Sequence, residues 1–378
     1  MANPLSNLFG RISGLWQKES TSVVGVDVGA CAIKVVQLKK RQGRAILETY
    51  GEVSLGPYGE FAIGQATNLA PEVIATAIKD LFREANVTAK EAAFAIPLQS
   101  SLVALVEMPA PDESALATMI PLEARKYIPV PVSEVALDWR VIPKREEIID
   151  AVSPGGDNGT ATPALSKVKV VEVLLVAIHN AVLDRFRAIA VASGIKTNVF
   201  EIESFSTVRS VVEDELAPVL IVDIGAGSTK LAIVDYGIVR ISHTVAKGSQ
   251  DISLALSKSL GMPFAAAEEK KRAEGLAGEV LAVATPVLDY IFFEAGQVVG
   301  SYQKKYRRSI TKVLLTGGGS LMKGVDAIAH ERFGVEVAYA KPFAKVEAPA
   351  AFDEMLSGAG PEFAVAVGLA LRKLGEVS

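Results

Sequence analysis

Apolar residues along this chain fall into two patterns. Short β-branched runs bounded by glycine, proline or polar clusters predict strands: Val24–Val28, Val35–Leu38, Phe94–Pro97, Leu102–Glu107, Val168–Ile178, Ile221–Ile224, Leu231–Val234 and Val313–Thr316. Longer segments with apolar positions three and four apart predict helices over Glu113–Lys126, over Asn180–Ser193 with Gly194 as its stop, and over Leu321–Phe333. Residues 153–163, rich in Gly, Pro, Ser, Asn and Thr, read as an exposed loop. Strands alternating with helices make this an α/β chain. Before the first strand, Leu5, Leu8, Phe9, Ile12, Leu15 and Trp16 form one apolar helical face. That face suits an interfacial or docking helix with peripheral membrane contact through residues 5–16, or a segment packed on its own protein.

The chain also contains itself twice. Residues 24–34 and 221–230 each run from an apolar strand through Asp-x-Gly-Ala-x-x-x-Lys into a second apolar strand. Strand, glycine turn, strand is the repeated unit. Two copies nearly two hundred residues apart indicate two related halves with a cleft between them, since solenoid periods run only ~20–50 residues. A length of 378 residues, at roughly 100–200 per domain, likewise implies two or three units.

Composition narrows the classes. Half the residues are apolar and the net charge is only −4, so nothing marks a nucleic-acid partner. The lone cysteine, Cys31, excludes a disulfide framework and a cysteine-based zinc site and suits a reducing cytoplasm. His179, His243 and His330 stand in no metal-ligand spacing and read as structural. No run of roughly 18 consecutive apolar residues or secretory signal pattern occurs.

The repeated turns carry the candidate chemistry. Successive backbone N–H groups in such turns make concavities that take phosphate oxygens, and two facing turns clamp one polyphosphate. The first offers Gly29, Ala30, Cys31 and Lys34; the second offers Gly225, Gly227, Ser228 and Thr229. Asp27 and Asp223, at the strand ends just before the turns, suit Mg²⁺ held through water, because that ion keeps part of its hydration shell. Thr316-Gly317-Gly318-Gly319 is a third strand running into glycines, with helix N–H groups expected behind it. Neither a P-loop nor a dinucleotide-binding glycine fingerprint is present.

These three motifs, in this order, resemble the phosphate-1, phosphate-2 and adenosine motifs of the actin/FtsA-like superfamily. Ala267-Glu-Glu-Lys-Lys271 resembles the helix that borders the adenosine there, with Glu268 and Lys271 on one face. Glu123-Ala-Arg-Lys-Tyr-Ile-Pro-Val-Pro131 and Gly360-Pro-Glu-Phe363 to Arg372 are similar to segments of the PilM proteins of type IV pilus assembly. The resemblance extends from about Val23 to Arg372.

The resemblance implies a two-lobed actin-like (FtsA-like) α/β fold with duplicated RNase H-like halves and an inserted subdomain, 1C. Its division of the chain is 1–20 for the N-terminal segment, 21–90 with 196–216 and 341–378 for 1A, 91–195 for 1C, 217–247 with 311–340 for 2A, and 248–310 for 2B. It implies ATP and Mg²⁺ as cofactors, with Gly248, Glu268, Lys271, Gly317, Gly318 and Gly319 at the adenosine. Glu203 is implied as a catalytic base, with a salt-bridged structural role as the alternative. The implied function is a cytoplasmic scaffold, at most a weak ATPase, that binds the cytoplasmic N-terminal peptide of the inner-membrane protein PilN. Contacts with other pilus inner-membrane and motor proteins, and self-association, belong to the same expectation. The rival readings are an FtsA-like division or type II secretion scaffold and an actin-fold metabolic kinase. Cys31 departs from the serine many PilM proteins carry in that turn, which removes a hydroxyl from the first phosphate site.

Overall fold

The computed structural model describes residues 22–109, 113–142, 170–213 and 216–376. The apolar face of residues 5–16 and the loop of 153–163 lie outside the described residues. Strands β1 (Ser22–Val28), β2 (Ala32–Arg41), β3 (Arg44–Ser54), β4 (Glu91–Ile96) and β8 (Lys196–Ile202) form one sheet, in the order β3-β2-β1-β4-β8. A second sheet, β11-β10-β9-β12-β13, uses β9 (Val219–Ile224), β10 (Thr229–Asp235), β11 (Ile238–Val245), β12 (Lys312–Thr316) and β13 (Glu336–Tyr339). The two sheets repeat each other. In both, three antiparallel strands are extended by two parallel ones, so the similarity between the two motifs is the surface sign of a duplicated fold.

Both central strands are buried, as continuous apolar runs such as Val23-Val24 and Leu220-Ile221-Val222 require. On one face of the first sheet lie α1 (Pro71–Glu84) and α3 (Asn180–Ser193), which contribute Ile74, Ile78, Leu81, Phe186 and Ile189 at helical spacing. Gly194 ends α3 in the left-handed conformation, φ 74°, as its position in the sequence predicts. The other face meets α4 (Glu203–Val211) and the C-terminal α10 (Ala364–Glu376). Ala364 and Val211 also pack against Val219 and Ile221, so the two sheets enclose α4 and α10 between them. The closest approach uses glycine: a Cβ on Gly25 would stand 2.1 Å from Ala366 O, and one on Gly368 1.9 Å from Ser206 O.

Helices α5 (Ser249–Leu260), α6 (Phe264–Glu274) and α7 (Gly278–Tyr306), together with α8 (Val325–Phe333), belong to the second lobe. By length and composition alone α7 could cross a membrane, but Ala284, Leu288, Ile291, Ala295 and Val298 seat one face of it in the second lobe's core. The third sheet, β5-β7-β6, consists of β5 (Ser101–Pro109), β6 (Val135–Ile142) and β7 (Val170–His179), all antiparallel, covered by α2 (Glu113–Ala124).

Within residues 91–195, β4 is hydrogen-bonded between β1 and β8 and α3 packs on the first sheet, while the third sheet draws on residues 101–179. The helix expected over 321–333 begins only at Val325, because a 3-10 turn over Gly318–Leu321 and Gly324 at φ 95° intervene. A short α9 (Asp353–Ala359) and a 3-10 turn over Gly360–Phe363 lead into α10.

The glycine contacts yield a test by chemical denaturation. Gly368→Ala is expected to cost about 2–3 kcal/mol, because the obstructing atom is backbone rather than a movable side chain. Gly300→Ala, in α7 with nothing within contact of its added Cβ, is expected to raise stability by about 0.5–1 kcal/mol.

Candidate functional site

The two repeated turns face each other across a cavity of about 480 Å³ between the lobes. In each hairpin the motif aspartate and lysine are cross-strand partners: Asp27 opposite Lys34 and Asp223 opposite Lys230. Each turn is closed by the same backbone bond, Gly29 N to Ala32 O at 2.9 Å and Gly225 N to Ser228 O at 3.0 Å. A Cβ on Gly227 would be 3.6 Å from the Cβ of Ala30, which measures how nearly the turns meet.

Charge in this space is unbalanced. Burial, then the nearby Glu203, pushes the Asp27 carboxyl up to about 7, against an ordinary 3.8. Asp223 is raised for the same reasons, with Lys230 opposing. Burial alone would lower Lys230, but Glu203 and the two aspartates outweigh it and raise it. Glu203, the first residue of α4, sits 3.2 Å from Lys230 through one oxygen and accepts the Leu98 N–H at 2.8 Å through the other. The structure therefore brings Glu203 to the cavity with both carboxylate oxygens engaged.

At the other end of the cavity, Glu268 of α6 accepts from Ser253 Oγ and Lys271 Nζ, both at 2.6 Å, and from Arg272 Nε at 2.7 Å. Burial works against its charge; Lys271, Ser253 and Arg272 prevail and hold the carboxyl below the ordinary range. Lys271 also reaches Ser249 O at 3.1 Å. Gly317 closes this wall with φ 79°, and a Cβ there would lie 2.3 Å from Asp223 Oδ1. Only glycine meets both constraints.

Asp27, Gly29, Ala30, Cys31, Lys34, Glu203, Asp223, Gly225, Gly227, Ser228, Glu268, Lys271 and the glycines at 317–319 line the cavity. Burial raises the Cys31 thiol, which keeps it protonated at neutral pH. Two expected residues stand behind the wall. Thr229 is buried and donates its hydroxyl to Lys247 O at 2.9 Å, because alternation along β10 turns it away from the face of Ser228 and Lys230. Gly248 lies against the second turn, where a Cβ would meet Ala226 O at 2.4 Å. The helix N–H groups expected behind the glycines are also displaced, since α8 starts a turn later.

Sequence reasoning missed Lys230, Glu52, Arg272 and Glu362, which also line the cavity. Lys34 lies 3.6 Å from Glu52 and 3.7 Å from Glu362. Burial, with a hydrogen bond to Glu52, raises the Glu362 carboxyl even though Lys34 opposes it. One further segment, residues 55–70, borders the site. It bonds to the first turn (Leu55 N to Cys31 O, Thr67 N to Ala30 O, both 2.8 Å), to Gln250 of the second lobe (Ala66 N, 2.9 Å) and to Arg185 of α3 (Leu69 O, 2.6 Å).

The residues present suit a Mg-polyphosphate. Two facing aspartates short of positive charge would share a hydrated cation, the lysines and turn N–H groups would take phosphate oxygens, and glycines leave room for backbone approach. Among the described residues no group of three or more His, Cys, Asp or Glu side chains is placed to hold a metal directly, so such a cation would depend on water and phosphate.

The profile of the family described as type IV pilus assembly protein PilM matches residues 25–153 and 157–374. The solved PilM-PilN type IV pilus biogenesis complex is similar over 95% of this chain and 99% of that one, with a TM-score of 0.78 at 23% identity. Among curated proteins, the ethanolamine utilization protein EutJ of Salmonella typhimurium is 34% identical over 113 residues, 30% of this chain. Cell division protein FtsA of Neisseria meningitidis serogroup B is 29% identical over 177 residues, 39% of this chain. The chain spans 38% and 43% of the lengths of these two relatives. The fold is the two-lobed actin-like one, and with the profile covering nearly all of it, the chain belongs to the type IV pilus assembly protein PilM family.

Proposed function

We propose that this protein is an ATP-binding cytoplasmic scaffold of type IV pilus assembly that captures the N-terminal peptide of the inner-membrane protein PilN and is held at that membrane through its partners. Family membership supports the pilus role, and the structurally similar PilM-PilN complex supports the partner. The observation that carries the nucleotide half is the pair of matched Asp/Lys hairpins facing across one cavity. In this reading the first sheet with α1, α3, α4 and α10 is subdomain 1A, the third sheet is 1C, the second sheet is 2A and helices α5 to α7 form 2B. The peptide would lie extended in the groove between 1A and 1C, a preformed mode of capture that costs the scaffold little ordering. Bound ATP would set its triphosphate between the turns and its adenosine near Glu268, Lys271 and Gly317–Gly319. Hydrolysis would be slow. Cys31 puts no hydroxyl in the first turn, and both Glu203 oxygens already have a partner, Lys230 and the Leu98 N–H, which compete with water for this carboxylate.

Calorimetric titration with the cytoplasmic N-terminal peptide of PilN, with and without Mg-ATP, tests both halves. Saturable binding at micromolar affinity or tighter is expected for each ligand; absence of peptide binding in both states would overturn the scaffold role. The metal pair makes its own prediction. Because the Asp27 carboxyl stands near 7 in the folded chain and at 3.8 ordinarily, the metal-free native state holds a proton that the unfolded chain has lost between those values. This contribution is complete below 3.8 and is lost as pH rises to about 7, by up to ~1.4 kcal/mol per pH unit. The stability of Asp27→Asn relative to wild type is therefore expected to rise from pH 5 to 7 and level off above, by urea denaturation without Mg²⁺.

A further inference from the structure

Lys34 is the first hairpin's cation for phosphate, yet it is already held by two carboxylates from outside that hairpin. Glu52, on β3, is its cross-strand neighbour at 3.6 Å, and Glu362, hydrogen-bonded to Glu52, stands 3.7 Å from it. Glu362 is carried on the 3-10 turn before α10, beside the third glycine motif: Pro361 O accepts the Gly317 N–H at 2.9 Å and the Thr316 hydroxyl at 2.8 Å. A Cβ on Gly318 would stand 3.5 Å from the Glu362 carboxyl carbon. The side chain thus reaches into the cavity from the first lobe along the wall of the second. Unlike Asp27 and Asp223, which face each other across the turns where a cation could bridge them to phosphate, Glu52 and Glu362 are paired with Lys34 itself, so a phosphate approaching that lysine meets like charge.

We propose that Glu362, backed by Glu52, is a built-in competitor for Lys34, an internal anion that the phosphates of an incoming nucleotide must displace before the first turn can grip them. The proposal rests on the nucleotide reading above. It assigns Glu362 a role opposite to that of a ligand-holding residue: it weakens phosphate binding. Because its backbone neighbour is bonded to Gly317 and Thr316, displacing Glu362 also loads the joint between the lobes, so phosphate entry and lobe geometry are linked at one residue.

The test is a gain of affinity. In the full chain, Glu362→Gln is expected to bind both inorganic tripolyphosphate and Mg-ATP about tenfold more tightly than wild type by calorimetry, with an unfolding temperature close to wild type because Glu52 still pairs with Lys34. Glu362→Asp, which keeps the charge, is expected to show no such gain. Unchanged or weaker tripolyphosphate binding by Glu362→Gln overturns the proposal, as does an equal gain from Glu362→Asp. Wild type and variant both failing to bind Mg-ATP while the variant gains tripolyphosphate would sink the nucleotide reading and leave the competition for Lys34 standing.

Discussion

A low-dielectric space that holds Asp27, Asp223 and Glu203 against Lys34 and Lys230 governs how the rest of this molecule is arranged. Those groups cannot be buried singly without a large cost. They are brought together by two hairpins with the same register, and each lysine is then steadied by carboxylates from elsewhere. The central strands on either side are continuous apolar runs, and among the described residues the one sheet residue paired with these lysines from outside the hairpins is Glu52 on β3. The cavity is what remains when two copies of one turn are set face to face by the helices α4 and α10 enclosed between their sheets.

Much of this was legible in the sequence because the chemistry is written in a motif that recurs. Asp-x-Gly-Ala-x-x-x-Lys implies an aspartate and a lysine opposite each other across a tight turn, and both copies have that register. Lys230 could have been found by the same symmetry that found Lys34. Thr229 could have been rejected by alternation, since Ser228 and Lys230 share a face that their intervening neighbour does not. The central strands came through for a related reason, since buried strands leave unbroken β-branched runs, whereas β3, β6, β8, β11 and β13, more exposed or interrupted by polar residues, were not read.

What the sequence hid are features that depend on pairing at long range. Glu52 meets Lys34 only through a β2–β3 register that shifts by an irregularity at Gln37 and Leu38. Glu362 arrives from more than three hundred residues away on a 3-10 turn with no periodicity to read. The start of α8 was misplaced because periodicity reports apolar spacing and is blind to the glycine at φ 95° that decides where a helix can begin. β4 and β5 lie only a few residues apart in the chain, and only sheet order shows that they belong to different sheets.

The C-terminal helix lies on β1 at glycine-close range, joining the last segment of the described chain to the first strand. The strands of the first sheet all fall within residues 22–202 and those of the second within 219–339, so both sheets precede α10 in the chain. During synthesis each sheet therefore has all its strands while the face it turns toward the other is still partly bare. The interval before α10 emerges from the ribosome is when this protein is most open to capture by chaperones or by another unfinished copy of itself.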